Sequence, residues 1–402
     1  MLSHFVYTIH LLGNLRLNIN TNTMPFSSLG LSPALLLALA DQNYTTPTPI
    51  QAAIMPAILS KKDVLGIAKT GSGKTAGYVL PLLTNLQKQM VGLKDRHANI
   101  LVLVPTRELA EQVKDVFKIF SNTLLKPVKT LAVYGGVSIN PQMMALHGVN
   151  VLVATPGRLL ELVDSNSVHL SDIETLVLDE ADKMLNLGFK EELNQILALL
   201  PEKRQNILLS ATLSNDLENI RQILLHEPVV IKIETEEPSL DLINQVAYIV
   251  SEEKKGPFLR YLINHYQMKQ VLVFASSVQQ VDAVVNKLRK NNIDAKAIHS
   301  KKSQGARTES LANFKSGKLR VLVATDLMAR GIDINFLPFV INYGLPRSPK
   351  DYVHRIGRTG RAEASGDAIS LVSNNELHHF EVIQKKMGRK VELIDGAGIV
   401  IG

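Results

Sequence analysis

The chain is predicted to fold as two consecutive α/β halves, each built on a parallel sheet. Three observations lead there. Short apolar runs of about four or five residues recur and alternate with segments of helical period. An acidic, proline-bearing stretch without period, residues 234–241, interrupts the series near the middle and reads as a linker. The early run Val64–Ile67 feeds a glycine-rich loop that opens into an apolar, helix-compatible segment, a junction at home in α/β sheets. The length of 402 residues suits two to three domains, and 46% hydrophobic residues suffice for an ordinary core in each.

The loop comes first in the argument. Residues 68–75 read Ala-Lys-Thr-Gly-Ser-Gly-Lys-Thr and fit the phosphate-binding pattern, with Ala68 where the first glycine usually sits. Glycines let successive backbone N–H groups turn inward around phosphate oxygens, and the helix N-terminus adds partial positive charge. Thr70, Gly71, Ser72, Gly73, Lys74 and Thr75 are therefore candidate binders of a nucleoside triphosphate. Lys74 can reach the β- and γ-phosphates, and the Thr75 hydroxyl can ligate Mg²⁺.

Composition narrows the partners. A net charge of +7 favours a polyanion, though a generically basic protein has the same balance. Absence of cysteine excludes disulfides, thiolate zinc sites and cysteine nucleophiles, and suits a reducing compartment. With 5% aromatic residues and no Trp, base stacking is a poor main device for holding nucleic acid, so phosphate and sugar contacts are expected. No apolar run is long enough to cross a membrane. Residues 1–23 form a poor signal peptide and precede a second methionine, Met24; they read as a disordered extension or an unused upstream start.

Residues 26–40 have a helical pattern, with Ser32 as N-cap before Pro33. The prolines of residues 44–51 hold an extended segment that opens into a helix near Ile50. Gln51 falls on its first turn, where a side-chain amide can read the N6/N7 edge of adenine; a plain surface glutamine is the structural alternative. Strands are then expected at residues 100–104, 130–134, 150–154, 175–178 and 206–209. In parallel sheets functional groups lie past the strand C-termini. There stand Arg107, Gly136, Thr155 with Arg158, the run Asp179-Glu180-Ala181-Asp182, and Ser210 with Thr212. Asp179 has the placement of a Walker-B carboxylate for Mg²⁺, and Glu180 can orient or deprotonate an attacking water.

The second half repeats the period, with strands expected at residues 246–250, 271–274, 295–298, 320–324, 339–342 and 368–372 and no phosphate loop. It offers arginines instead. Gln304 and Arg307 share one region, Thr325-Asp326 follows a strand, and residues 354–361 read His-Arg-Ile-Gly-Arg-Thr-Gly-Arg. Arg358 and Arg361 on a glycine-rich turn suit the arginine-finger device. For His299 and His354 hydrogen-bonding or interface roles are preferred to metal binding, and His378-His379 reads as an exposed helical pair.

Together these residues resemble the DEAD-box RNA helicases, over about residues 26–390 and in the family's motif order. Phe26 and Thr-Pro-Thr-Pro-Ile-Gln at 46–51 look like the Q motif with its upstream aromatic, and residues 179–182 spell Asp-Glu-Ala-Asp. The run at 26–31 and the segment near Gln304 look most like the bacterial RhlE branch. The resemblance implies two tandem RecA-like domains, a superfamily 2 helicase core: a first domain at 24–233, a linker at 234–243, a second domain at 244–390 and a C-terminal tail at 391–402. It implies an ATP-dependent RNA helicase, an RNA-stimulated ATPase with ATP and Mg²⁺ as cofactors, cytoplasmic, acting on single-stranded RNA or short duplexes. Partner proteins of ribosome assembly or RNA decay would fit such a role.

The resemblance also implies roles. Phe26, Gln51, Asp179, Asp333 and the loop would bind nucleotide; Glu180, Lys74, Arg358 and Arg361 would be catalytic. Arg107, Gly136, Thr155, Arg158, Arg307 and Thr325 would hold RNA, and Asp182, Ser210, Thr212 and His354 would couple the domains. Asn43, Lys69 and Met328 depart from the commoner family residues without removing a catalytic group. An ATP-gated RNA clamp and a DNA translocase are the alternatives on the same plan.

Overall fold

The computed structural model describes residues 7–11, 15–19, 24–69, 71–89, 96–213, 215–233, 243–326, 337–360 and 366–399. The chain divides into two compact units, residues 1–235 and 236–402.

In the first unit, β1 (Tyr7–Leu11) and β2 (Leu15–Ile19) pair antiparallel. They lie where the sequence suggests an extension, and both carry the alternation of apolar and polar residues that marks strands. The helical pattern expected over residues 26–40 is split. A 3-10 turn at Phe26–Leu29 ends at Gly30, whose φ of 79° is left-handed, and α1 (Pro33–Asp41) starts afresh behind Ser32. Next come α2 (Pro49–Leu59), β3 (Val64–Ile67), α3 (Lys74–Gln89), β4 (Ile100–Leu103), α4 (Arg107–Ser121), β5 (Thr130–Val133) and α5 (Asn140–Ala145). Then follow β6 (Val151–Ala154), α6 (Pro156–Asp164), β7 (Thr175–Leu178), α7 (Ala181–Asn186), α8 (Lys190–Leu199), β8 (Gln205–Ser210), α9 (Asn215–Leu224) and β9 (Val229–Lys232).

Strands β3 to β9 form a seven-stranded sheet in the order β5-β6-β4-β7-β8-β3-β9, parallel at each junction. Its central strands are continuous apolar runs because both faces are covered. Side chains alternate between the faces. Ile100 and Val102 enter a core with Tyr78, Leu82, Val113 and Phe117 of α3 and α4, whereas Leu101 and Leu103 meet Leu159, Leu162, Met184 and Ile196 of α6 to α8. Each fully buried Leu or Val contributes roughly 1.5–3 kcal/mol.

The second unit runs β10 (Ile243–Ile249), α10 (Lys255–His265), β11 (Val271–Phe274), α11 (Val278–Arg289), β12 (Ala295–Ile298), α12 (Gln304–Lys315), β13 (Val321–Ala324) and β14 (Phe339–Asn342). It continues with a helix at Pro349–Ile356, β15 (Gly366–Val372), a helix at Leu377–Met387 and β16 (Glu392–Asp395). The sheet is again seven-stranded, in the order β12-β13-β11-β14-β15-β10-β16, with parallel pairing throughout. Strand β10 begins at the last residue of the expected linker. Strand β16 lies in the expected tail, where it pairs along β10 from Val246 to Ile249. Among the described residues no helix is long and apolar enough to cross a membrane.

Candidate nucleotide site and nucleic-acid face

The phosphate loop leaves β3 and delivers Lys74 onto the first turn of α3. Gly71 and Gly73 have φ of 81° and 92°, which side chains rarely adopt. Gly73 is doubly constrained, since a Cβ there would lie 2.6 Å from Gln51 Nε2. Lys74 is 6% exposed; its ammonium donates to Ala68 O and, at 3.2 Å, to Lys69 O. Burial lowers its pKa, while the carboxylates of Asp179, Glu180 and Asp182 pull the other way. Ser72 Oγ is buried without a partner. Thr70 lies outside the described residues.

Helix α2 braces this loop. Thr48 and Gln51 form a capping box in which Gln51 Oε1 accepts from Thr48 N at 2.8 Å. Gln51 Nε2 donates to Gly73 O at 3.1 Å, and Thr48 Oγ1 to Ser72 O at 2.8 Å. The amide expected at an adenine edge is 2% exposed and is engaged at both ends inside the protein. Phe26 is likewise a core residue, 5% exposed and edge-on to Tyr44 with ring centres 6.4 Å apart.

The acidic run follows β7. Glu180 sits at φ 52°, a left-handed conformation costing a non-glycine about 1–3 kcal/mol, of the kind that clusters at functional sites. It makes the sharp turn from β7 into α7 that sets three carboxylates at one strand end. Asp179 is 2% exposed; Oδ2 accepts from Tyr78 OH at 3.1 Å and Oδ1 from Glu180 N at 2.9 Å. Burial raises its pKa against the pull of Lys74. Glu180 is also raised by burial, and Lys183, whose ammonium lies 2.7 Å from Oε1, opposes this. Glu180 Oε2 and Asp182 Oδ1 are buried without partners. Asp182 Oδ2 accepts from Thr212 Oγ1 at 2.9 Å, and Ser210 Oγ donates to Thr212 O at 2.8 Å. Of the residues expected to couple domains, Asp182, Ser210 and Thr212 thus tie α7 to the end of β8 within the first unit, and His354 belongs to the second.

Arg107, Gly136, Thr155 and Arg158 gather past β4, β5 and β6, three neighbouring strands. Arg107 Nη1 lies 3.5 Å from Gly136 O, and a Cβ on Gly136 would fall 1.9 Å from the Arg107 guanidinium. Arg158, 6% exposed, reaches Glu161 Oε2 at 2.8 Å and Val137 O at 2.9 Å, with Nη1 buried and unpartnered. Thr155 is buried at the start of α6.

In the second unit Arg307 is 3% exposed on the first turn of α12 and donates to Gln304. Thr325 follows β13, His354 is exposed on the helix Pro349–Ile356, and Arg358 stands just beyond its end. Arg361, Asp333 and Met328 lie outside the described residues. His299 is buried and paired with Asp282 at 3.1 Å, a hydrogen-bonding role as expected. Of the His378-His379 pair only His378 is exposed; His379 donates to Pro346 O at 2.7 Å, because the helix turns it toward the preceding loop.

Two family models match the chain, the DEAD/DEAH box helicase at residues 48–220 and the helicase conserved C-terminal domain at 254–363. The DEAD-box ATP-dependent RNA helicase CshA of Geobacillus kaustophilus is 37% identical over 91% of this chain and 77% of its own length. The chain belongs to the DEAD/DEAH box helicase family. The ATP-dependent RNA helicase DeaD of Buchnera aphidicola is 38% identical over 92% of this chain, which spans 61% of that relative. Among solved structures, Saccharomyces cerevisiae Dbp5 bound to RNA and ADP BeF3 aligns with a TM-score of 0.79 and 27% identity, covering 92% of this chain and 95% of that one. A DEAD box protein of Methanococcus jannaschii has 34% identity and a TM-score of 0.51, over 92% and 99% of the two chains. The two parallel sheets of this helicase are its tandem RecA-like domains.

Several residues that hold the loop and the acidic run in place escape motif reading. Lys183 is visible only through its spacing of three from Glu180 on α7. Tyr78 holds Asp179 across 101 positions, a pairing with no local signal. Thr48 reaches the loop through a cap, which the spacing to Gln51 could have disclosed.

Proposed function

We propose that this helicase is an RNA-stimulated ATPase that separates short RNA duplexes, or remodels RNA–protein particles, by closing and opening its two units. The observation that carries this is the convergence in one unit of a buried loop lysine, a strained Glu180 and a buried Asp179, in the same sheet whose strands β4 and β6 are followed by Arg107, Thr155 and Arg158. Support comes from relatives named ATP-dependent RNA helicases and from a neighbour holding RNA and a nucleotide.

ATP would be held by the loop, with Lys74 turning from backbone carbonyls to phosphate oxygens and Gln51 fixing the loop's shape. Unpartnered Ser72 Oγ and Glu180 Oε2 fit a polar ligand. The Thr75 hydroxyl and Asp179 offer the hard oxygen donors that suit Mg²⁺, which would neutralise phosphate charge when bound. Glu180 would take the proton of the attacking water. Asp333 would meet the ribose, and Arg358 and Arg361 would supply positive charge to the transferring phosphate on closure. Asp182, Ser210, Thr212 and His354 would link nucleotide state to closure. RNA would lie on Arg107, Gly136, Thr155, Arg158, Arg307 and Thr325, through phosphates and 2′-hydroxyls more than bases. Because ATP and RNA both favour the closed form, each promotes binding of the other. A likeness to the RhlE branch, through residues 26–31 and the segment near Gln304, and a cytoplasmic setting, which the lack of cysteine suits, complete the proposal.

Glu180→Gln tests the assignment: it should abolish ATP turnover and leave ATP and RNA binding intact. Full turnover in that variant would refute the role.

A further inference from the structure

We propose that Arg355 is a positioning residue, the pin that holds the strand end bearing Thr325 and the turn bearing Arg358 in one register. Its guanidinium forks onto Asp326, with Nε on Oδ1 and Nη2 on Oδ2, the latter at 2.8 Å. The third nitrogen, Nη1, donates to Asn342 Oδ1 at 3.0 Å and to Gly344 O at 2.6 Å. The Phe274 ring centre lies 5.0 Å from the guanidinium carbon. One side chain therefore joins the end of β13, the end of β14, the turn behind it, β11 and its own helix. The anchor is rigid in turn: Asn342 is fully buried and donates to Ser370 Oγ at 3.2 Å, which also contacts Tyr352 OH at 3.1 Å.

Arg355 is 2% exposed, whereas its neighbour His354 is exposed. Residues one apart on a helix face different ways, and those four apart face alike. Arg355 thus points into the unit while His354 lies on its surface. Asp326 directly follows Thr325, and Arg358 stands three residues past Arg355, its N–H bonded to Arg355 O at 3.2 Å. A guanidinium fits a carboxylate through two parallel bonds with fixed geometry, which an ammonium cannot reproduce. So the pair sets orientation as well as attraction. This inference rests on the proposed function, in which Thr325 meets RNA and Arg358 meets the phosphate.

The test compares Arg355→Lys, Asp326→Asn and the double variant with the unaltered full chain, in steady-state ATPase at saturating RNA and in thermal unfolding. Lys retains charge and packing but not the fork, and Asn retains the shape of Asp. At a temperature where each variant is folded, kcat should fall on the order of ten- to a hundredfold, the scale of a misplacement of about 1 Å. The KM for ATP should stay within about twofold, because the phosphate loop belongs to the other unit, and the double variant should be no worse than the poorer single one. A folded Arg355→Lys with unchanged kcat overturns the proposal, as does a loss confined to KM or one that vanishes once the variant is folded. Arg358→Ala is run in parallel. If it turns over normally, the phosphate-side assignment fails by itself; if it is impaired while Arg355→Lys is normal, only the positioning role fails.

Discussion

Gly136 has a role that no side chain could fill. Its φ is 75°, and a Cβ would intrude 1.9 Å from the Arg107 guanidinium. Gly136→Ala should therefore displace Arg107 and weaken RNA binding by about tenfold or more, the free energy of one charge-assisted contact. The affinity for ATP should not change, and titration with each ligand separates the two. Much of this residue scale is legible in sequence, because Lys74, Asp179, Glu180 and the arginines belong to local strings with fixed spacing. What is not legible is how the residues are held. Gln51 reads as an adenine contact, yet its amide is committed to Thr48 N and Gly73 O, and Tyr78 bonds Asp179 from a distant part of the chain. Such pairings exist only once the sheet is assembled.

At the scale of elements, the second unit carries a buried ionic link. Lys255, at the start of α10, is 1% exposed and lies 2.7 Å from Glu376 Oε2, which also accepts from Ser373 N at 3.0 Å. Burial alone would raise the Glu376 pKa, but the bonds from Lys255 and Ser373 outweigh it and hold the carboxyl below its ordinary value. A carboxyl depressed in the folded state contributes stability above its unfolded pKa. That contribution is lost as pH falls from about 4.3 through the lower folded value. Glu376→Gln should lower stability at neutral pH and flatten the acid limb of the unfolding curve; an unchanged limb would show that the pair is not coupled to folding. The central strands were readable as apolar runs because both faces are covered. The edge strands β9 and β16 were not, since each is partly or largely exposed and lacks that run. Likewise β1 and β2 carry a strand alternation of only five residues each, within a stretch whose overall composition suggests an extension.

On the scale of the whole molecule, the phosphate loop belongs to one unit and Arg358 to the other, and the proposed function requires both for turnover. The two halves were legible as repeated α/β periods about an acidic linker, and the division at residues 235 and 236 falls within that stretch. The division of labour predicts that Arg361→Ala, in the unit without a phosphate loop, lowers kcat by about 10³-fold. ATP binding to the first unit should persist, as direct nucleotide titration would show.

The most direct measurement is the ATPase rate of the full chain with matched single-stranded RNA and DNA, at one stated salt concentration because backbone binding depends on it. The rate should be slow alone, strongly stimulated by RNA and little by DNA, through 2′-hydroxyl contacts. Equal stimulation by DNA, or a full rate with no nucleic acid, would contradict the proposed function.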